Sequence, residues 1–172
     1  GTGVDMGGGT GASSIPLGRE GQRVGAADFS QGMLDILDGE LAENGIASVF
    51  PKLMGWEDDW EAHGVREGMT DVAIASRSIA VSDMKAALMR LTSVARRRVC
   101  ITLSTGSSPR LDERILSDIG VQNEFGNDFL YPFHILVGAG TIPEVSYIQT
   151  TRTDTFESLA DASDGFQRMV HD

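Results

Sequence analysis

Short apolar runs alternate with amphipathic stretches over most of the chain. Runs of about five or six residues rich in Val, Ile and Ala predict strands, and apolar residues that recur every three or four positions predict helices. The predicted strands are 4–6, 23–28, 46–50, 70–75, 99–103 and 145–150, and the predicted helices are 12–17, 30–44, 82–94, 111–119, 131–137 and 158 onward. This alternation favours an α/β fold, a doubly wound and mostly parallel sheet with helices on both faces.

Helix ends and strand burial follow from single residues. Ser30, Ser82 and Ser158 each stand where a side-chain oxygen caps a helix N-terminus, and the pair Asn44-Gly45 ends the helix that Ser30 begins. The strand 99–103 is apolar enough to predict cover on both faces, which would bury Cys100.

A glycine-rich segment joins the first strand to the first helix. It reads Asp5-Met6-Gly7-Gly8-Gly9-Thr10-Gly11. Backbone amides at such a junction favour negative charge, and glycines let the backbone approach a ligand closely. Asp28 ends the next strand, about twenty residues on, where a ribose-binding carboxylate belongs. The pattern predicts a nucleoside-containing ligand at the carboxyl edge of the sheet; a tight turn beside an exposed aspartate is the alternative.

Two ligand classes compete for this loop. Gly7, Gly9 and Ala12 satisfy the G-x-G-x-x-G/A pattern of NAD-binding folds. The loop also resembles, more fully, the acid-x-Gly-x-Gly-x-Gly signature of class I (Rossmann-like) S-adenosylmethionine-dependent methyltransferases. Asp5 would repel a pyrophosphate, whereas S-adenosylmethionine carries a positive ammonium and sulfonium together with a carboxylate that suits the loop amides. Charge therefore favours the methyl donor.

The resemblance covers most of residues 1–105 and includes segments 27–34, 71–78 and 98–103. It implies that Asp5 lies near the amino acid moiety of the donor and that Asp28 binds the ribose hydroxyls, with Phe29 beside the adenine. It further implies that three glycines form the floor of the site: Gly7, Gly9 and Gly11.

The ends of the third and fourth strands complete the implied site. Trp56, Glu57 and Asp58 follow the third strand, where the family contacts the adenine ring and its amino group, and an indole is suited to stacking there. Ser76 and Arg77 follow the fourth strand, under the reactive methyl. The resemblance implies in-line methyl transfer, for which the protein holds two reactants collinear and excludes water.

The match weakens toward both ends of the family pattern. The helix that precedes the first strand and the last, antiparallel strand have no counterpart in the chain, so we expect sequence beyond it or a partner subunit, as in a homodimer, to close the site. We expect a single methyltransferase-like domain over 1–172, with a cofactor-binding half at 1–105 and a divergent substrate-side half at 106–172.

No residue stands out as the catalytic base, and the weak candidates are Arg77, Tyr131 and His134. The three histidines show no metal-ligand spacing, so no metal is predicted. The basic run 96–98 is interpreted as charge that complements the dipole at a helix C-terminus, with an RNA contact as the lesser alternative.

Composition limits the partners and the location that we expect for the protein. The formal net charge is −11, which disfavours nucleic acid and leaves a small-molecule methyl acceptor as the expected substrate. One cysteine suits a reducing, cytoplasmic location, and no apolar run reaches the ~20 residues of a membrane span. Two alternatives remain: an NAD(P)-dependent oxidoreductase and a non-catalytic nucleoside-binding protein.

Overall fold

The computed structural model describes residues 1–104, 129–151 and 153–171. The chain divides into two compact units, Gly1–Leu103 and Ser104–Asp172. The single methyltransferase-like domain over 1–172, with halves at 1–105 and 106–172, stays a prediction.

The first unit is built on a five-stranded sheet of parallel strands. Its elements in chain order are β1 Thr2–Met6, α1 Ser14–Arg19, β2 Arg23–Asp28, α2 Gln31–Glu43, β3 Val49–Leu53, β4 Thr70–Ser76, α3 Met84–Val94 and β5 Ala95–Thr102. The strand order is β3-β2-β1-β4-β5, so the direction of winding reverses between β1 and β4. The predicted α/β architecture is confirmed, and this reversal is the place where such sheets bind ligands.

Apolar side chains fill both sides of the sheet. On one face, Val24 and Ala26 of β2 pack in a cluster with Leu34, Leu37 and Leu41 of α2. Because alternate residues of a strand face opposite ways, Val4 and Met6 of β1 belong to the other face. Helix α3 contacts β4 and β5, and the usual right-handed crossover between these strands predicts that it covers the second face.

The third strand begins three residues later than predicted, at Val49 rather than 46. The reason is the end of α2. Gly45 adopts a positive φ of 64°, the Gly45 N–H donates to Ala42 O, and the Ile46 N–H donates to Leu41 O at 2.9 Å. These two hydrogen bonds form a Schellman motif, which makes Ile46 part of the helix end rather than of the strand.

Two of the three predicted caps are confirmed. The Ser30 hydroxyl accepts from the Met33 N–H, and the Ser158 hydroxyl accepts from the Asp161 N–H at 3.1 Å. The prediction for Ser82 is wrong, because the adjacent Asp83 caps α3 by accepting from the Ala86 N–H at 2.9 Å.

The predictions for the fifth strand are wrong in burial and in extent. β5 lies at an edge of the sheet, most of its residues are exposed, and Cys100 is among them. The arginines at 96–98 lie within this strand, because α3 already ends at Val94. They therefore do not form a helix terminus. An apolar strand is covered on both faces only where neighbouring elements reach it, which its own sequence does not fix.

The second unit contains two described helices, α4 Leu130–Gly138 and α5 Leu159–His171. The predicted helix at 131–137 is confirmed, and the one at 111–119 lies outside the described residues. The predicted strand at 145–150 is wrong: this stretch is irregular and exposed, and the described part of the unit offers no strand to pair with it. Among the helices described, none has the length and apolar character needed to cross a membrane.

Asp71 ties together the beginnings of three strands. Its carboxylate accepts from the Thr2 N–H at 2.9 Å and forms an ion pair with Arg96 at 3.0 Å. The Thr2 N–H bond, and next the Arg96 guanidinium, lower the pKa of Asp71 to about 2.

We expect Asp71→Asn to destabilise the protein slightly at pH 7. A lowered carboxyl pKa contributes stability above the ordinary value of 3.8, and this contribution is lost as the pH falls toward about 2. Urea unfolding should therefore show a difference between wild type and variant that shrinks through this acid range. The exposed Asp38→Asn is the control, and a pH-independent difference for Asp71→Asn would contradict the assignment.

Candidate functional site

The glycine loop leaves β1 at the switch point and folds over the end of β2. The N–H groups of Gly7 and Gly8 both donate to Ala27 O, at 2.8 and 2.9 Å. Gly7, Gly9 and Gly11 have φ values of 73°, 55° and 94°, a region that L side chains rarely adopt. The loop therefore depends on glycine at each of these alternate positions.

The three glycines differ in what surrounds them. A Cβ at Gly7 would lie 2.2 Å from the Cβ of Ser78, and one at Gly11 would lie 2.5 Å from Cδ1 of Leu37. At Gly9 no heavy atom of the described residues lies within 4 Å of that point. Gly7 and Gly11 thus allow close packing, whereas Gly9 leaves open space at the tip of the loop.

Asp28 holds the tip of the loop in place. Its side chain is 6% exposed. One carboxylate oxygen accepts from the Gly9 N–H at 2.9 Å, and the other accepts from the Ser30 N–H at 2.9 Å. Each oxygen keeps a second lone pair, so the carboxylate is able to accept from a further hydroxyl. Its role toward a ribose stays a prediction.

Asp5 is buried next to the loop. It is 1% exposed, and its Oδ2 accepts from the Ser14 hydroxyl of α1 at 2.7 Å. Within the described residues, its Oδ1 is buried and has no hydrogen-bond partner. Burial raises the pKa of Asp5, the bond from Ser14 lowers it in part, and the charge of Asp28 raises it further. An orphaned buried carboxylate oxygen fits a cationic ligand group.

The loop after β3 does not present its first indole as an exposed plane. Trp56 is only 9% exposed, and its Nε1 donates to Ser78 O at 2.9 Å. The exposed ring near this edge is Phe29, at 79%. Glu57 is also exposed. The adenine contacts of these residues stay predictions, with Phe29 better placed than Trp56 to offer a free ring face.

The end of β4 is fixed against its neighbours. The hydroxyls of Ser76 and Thr102 lie 2.8 Å apart, and the Arg77 N–H donates to Thr102 O at 2.9 Å. Arg77 has a φ of 53°, unusual for a residue other than glycine, and its side chain is exposed. The Ser78 hydroxyl donates to Met6 O, which ties β4 to the start of the glycine loop.

Sequence reasoning missed two contributors, Ser14 and Ser78. Ser14 lies in the helix that follows the glycine loop, and Ser78 lies two residues beyond the end of β4. A hydroxyl at each of these junctions was the available signal, but serine is common at such junctions. Only the packing of α1 and of Gly7 reveals the contacts.

The remaining candidates, Tyr131 and His134, lie in the second unit on α4. Tyr131 is 64% exposed, and His134 Nδ1 lies 2.7 Å from Leu130 O of the same helix. Their part in catalysis stays a prediction. No group of three His, Cys, Asp or Glu side chains suited to a metal ion occurs in the described ranges.

Solved structures with similar folds include methyltransferases. A candidate S-adenosyl-L-methionine-dependent methyltransferase from Methanococcus maripaludis superimposes with a TM-score of 0.60 and 16% identity, over 92% of this chain and 80% of that chain. This chain has the class I methyltransferase fold. A SAM-dependent methyltransferase from Aquifex aeolicus agrees, with a TM-score of 0.51 and 19% identity over 70% and 72% of the two chains. The class I methyltransferase fold places the glycine loop and Asp28 at the carboxyl edge of the sheet.

Comparison with curated sequences gives a relative whose name states no activity. An uncharacterized protein of Haemophilus influenzae is 30% identical over 147 residues, which are 86% of this chain and 53% of that protein. This chain therefore spans about half the length of that curated relative. No protein-family model matches it.

Proposed function

We propose that this protein is an S-adenosyl-L-methionine-dependent methyltransferase. The observation that carries the proposal is the buried Asp5 carboxylate, whose Oδ1 has no partner among the described residues, beside a glycine loop whose tip at Gly9 is open. A ligand ammonium would satisfy the Asp5 oxygen, and the open tip of the loop leaves room for the rest of the ligand. The class I methyltransferase fold supports the same ligand.

The residues present fit this donor. Asp5 would hold the ammonium, the open tip of the loop at Gly9 and Thr10 would face the carboxylate, and Asp28 would accept from the ribose hydroxyls. Phe29 would lie against the adenine. When bound, S-adenosylmethionine supplies a methyl group on a positively charged sulfur.

The acceptor in this proposal is a small molecule, because a net charge of −11 repels nucleic acid. Arg77, exposed at the end of β4, is the candidate that the first unit offers to meet it. A general base is needed only when the acceptor atom carries a proton of high pKa. We place the reaction in the cytoplasm and propose that a partner subunit, as in a homodimer, helps to close the site.

Calorimetry on the purified chain tests the ligand class. We expect S-adenosylhomocysteine to bind and NADH not to bind. At a concentration of ~100 times the Kd, a ligand stabilises by about 2.7 kcal/mol, which raises the Tm of a chain of this size by roughly 5–10 °C. Binding of NADH in preference to S-adenosylhomocysteine would favour the oxidoreductase alternative and overturn the proposal.

A further inference from the structure

The segment that follows β3 has no regular helix or strand. It reads Met54-Gly55-Trp56-Glu57-Asp58-Asp59-Trp60, and both tryptophans of the chain lie in it. Trp56 and Trp60 are buried, with ring centroids 5.6 Å apart. A loop of this kind keeps its shape through side-chain bonds to its backbone, so the groups that make those bonds determine where its exposed residues stand.

Arg90, near the middle of α3, donates two hydrogen bonds to the backbone of this loop. Its Nη1 donates to Trp56 O at 2.9 Å and to Asp58 O at 3.0 Å. Its guanidinium carbon lies 5.5 Å from the centroid of the Trp60 ring, within cation–π range. One guanidinium thus binds two carbonyls and one ring of the same loop.

The two carbonyl bonds fix the peptide planes around Glu57 and Asp58. A trans peptide is planar, and its N–H points opposite to its C=O. Because Trp56 O and Asp58 O point toward Arg90, the N–H groups of Glu57 and Asp59 point away from it. The side chains of Glu57 and Asp58 are exposed, so their carboxylates stand on a backbone whose orientation Arg90 sets.

Further bonds close the loop on itself. The Gly55 N–H donates to Asp58 Oδ2 at 2.7 Å, and Trp60 Nε1 donates to Gly55 O at 3.1 Å. These bonds hold the loop compact but do not attach it to a helix. The loop is attached to its surroundings by Arg90, by the bond from Trp56 Nε1 to Ser78 O, and at its first residue by the Met54 N–H, which donates to Asp28 O at 2.9 Å.

We propose that Arg90 is a positioning residue for adenine recognition: by holding the carbonyls of Trp56 and Asp58, it sets the carboxylates of Glu57 and Asp58 where they accept from the adenine amino group. The inference rests on the proposed function, since it assumes that the donor's base lies at this loop. Arg90 itself does not touch the ligand.

The test compares two ligands that differ only at the base. S-Adenosylhomocysteine carries an amino group on its purine, whereas S-inosylhomocysteine carries a carbonyl oxygen at that position. We expect wild type to bind the adenosyl compound more tightly, and Arg90→Met to reduce this preference by about threefold to tenfold, the worth of one hydrogen bond. General destabilisation lowers both affinities together, so the ratio of the two Kd values reports positioning alone.

A ligand-free readout accompanies the binding data. Tryptophan emission reports this loop alone, because both tryptophans lie in it. We expect Arg90→Met to shift the emission of the unliganded protein, and Arg66→Met, an exposed arginine of the following segment, to change neither the emission nor the Kd ratio. Should Arg90→Met fail to fold, Arg90→Gln, too short to reach both carbonyls, takes its place.

The outcomes separate the two proposals. A folded Arg90 variant that retains the wild-type Kd ratio overturns the positioning role while leaving the donor assignment intact. Equal affinity of wild type for the two ligands also overturns it. Failure of wild type to bind S-adenosylhomocysteine at all removes the proposed function, and the inference with it.

Discussion

Gly7→Ala should destabilise the protein by roughly 2–5 kcal/mol, the sum of a left-handed backbone strain and an overpacked contact. Gly7 has a φ of 73°, and the added methyl would lie 2.2 Å from the Cβ of Ser78. This methyl would contact a Cβ, which is attached directly to the backbone, rather than the flexible end of a side chain. Relief of the clash therefore requires movement of the backbone at the end of β4. Urea unfolding followed by tryptophan fluorescence measures the loss.

Gly9→Ala is the matched control. Gly9 also has a positive φ, of 55°, but no described heavy atom lies within 4 Å of its added Cβ. Only backbone strain applies, so the expected loss is about 1–2 kcal/mol. The double variant Gly7→Ala with Ser78→Gly removes the clashing Cβ and should recover part of the stability. Equal losses for Gly7→Ala and Gly9→Ala, with no recovery, would show that the Ser78 contact does not determine the glycine.

The order of elements in the first unit could be predicted because strand and helix periodicity are local signals. Strands at 23–28 and 70–75 differ from β2 and β4 by at most one residue. The boundary of β3 could not be predicted, since residues 46–48 are apolar enough for a strand, and the Schellman motif at Gly45 decides otherwise. Turn chemistry thus overrides hydrophobicity at an element end.

Burial was harder to predict than element type. The apolar residues of β5 are typical of a central strand, yet β5 lies at the edge of the sheet. Trp56 stands where a ligand-stacking ring is expected, yet it packs inward and bonds to Ser78 O. In both cases the exposure depends on which distant segments pack against the residue, and composition and spacing carry no information about that.

The candidate site was predictable as a set of positions but not as a set of bonds. The motif places Asp5 and Asp28 at adjacent strand ends, and β1 and β2 are indeed paired neighbours. It does not reveal that Asp28 accepts from the Gly9 N–H, or that Ser14 bonds to one Asp5 oxygen while the other has no partner in the described part of the chain. Those bonds turn a sequence motif into a charge arrangement that a ligand is able to complete.

Asp5→Asn should weaken binding of S-adenosylhomocysteine strongly. Removing one partner of a buried charge pair costs about 2–5 kcal/mol, which corresponds to a Kd at least ~30 times higher. The same substitution should raise the Tm of the unliganded protein at pH 7, because it removes a buried charge that Asp28 repels and that has, within the described residues, no partner for one oxygen. If the Asp5 carboxylate lowers stability but is needed for ligand affinity, its removal raises both the Tm of the unliganded protein and the Kd of the ligand.

The pH dependence gives a second signature of the same carboxylate. The folded-state pKa of Asp5 lies above its ordinary value of 3.8, so ionisation of Asp5 destabilises the fold. This destabilisation is complete at a pH above the raised pKa and absent at a pH below 3.8. The stability advantage of Asp5→Asn should therefore fade as the pH falls through this range. Wild-type affinity for S-adenosylhomocysteine should rise with pH over the same range, while the affinity of the variant stays constant.

Asp38→Asn, an equal change of charge on the exposed side of α2, should leave both profiles unchanged. Wild-type affinity retained by Asp5→Asn would mean that Asp5 does not meet the ammonium, and the electrostatic basis for choosing a methyl donor over a dinucleotide would be lost.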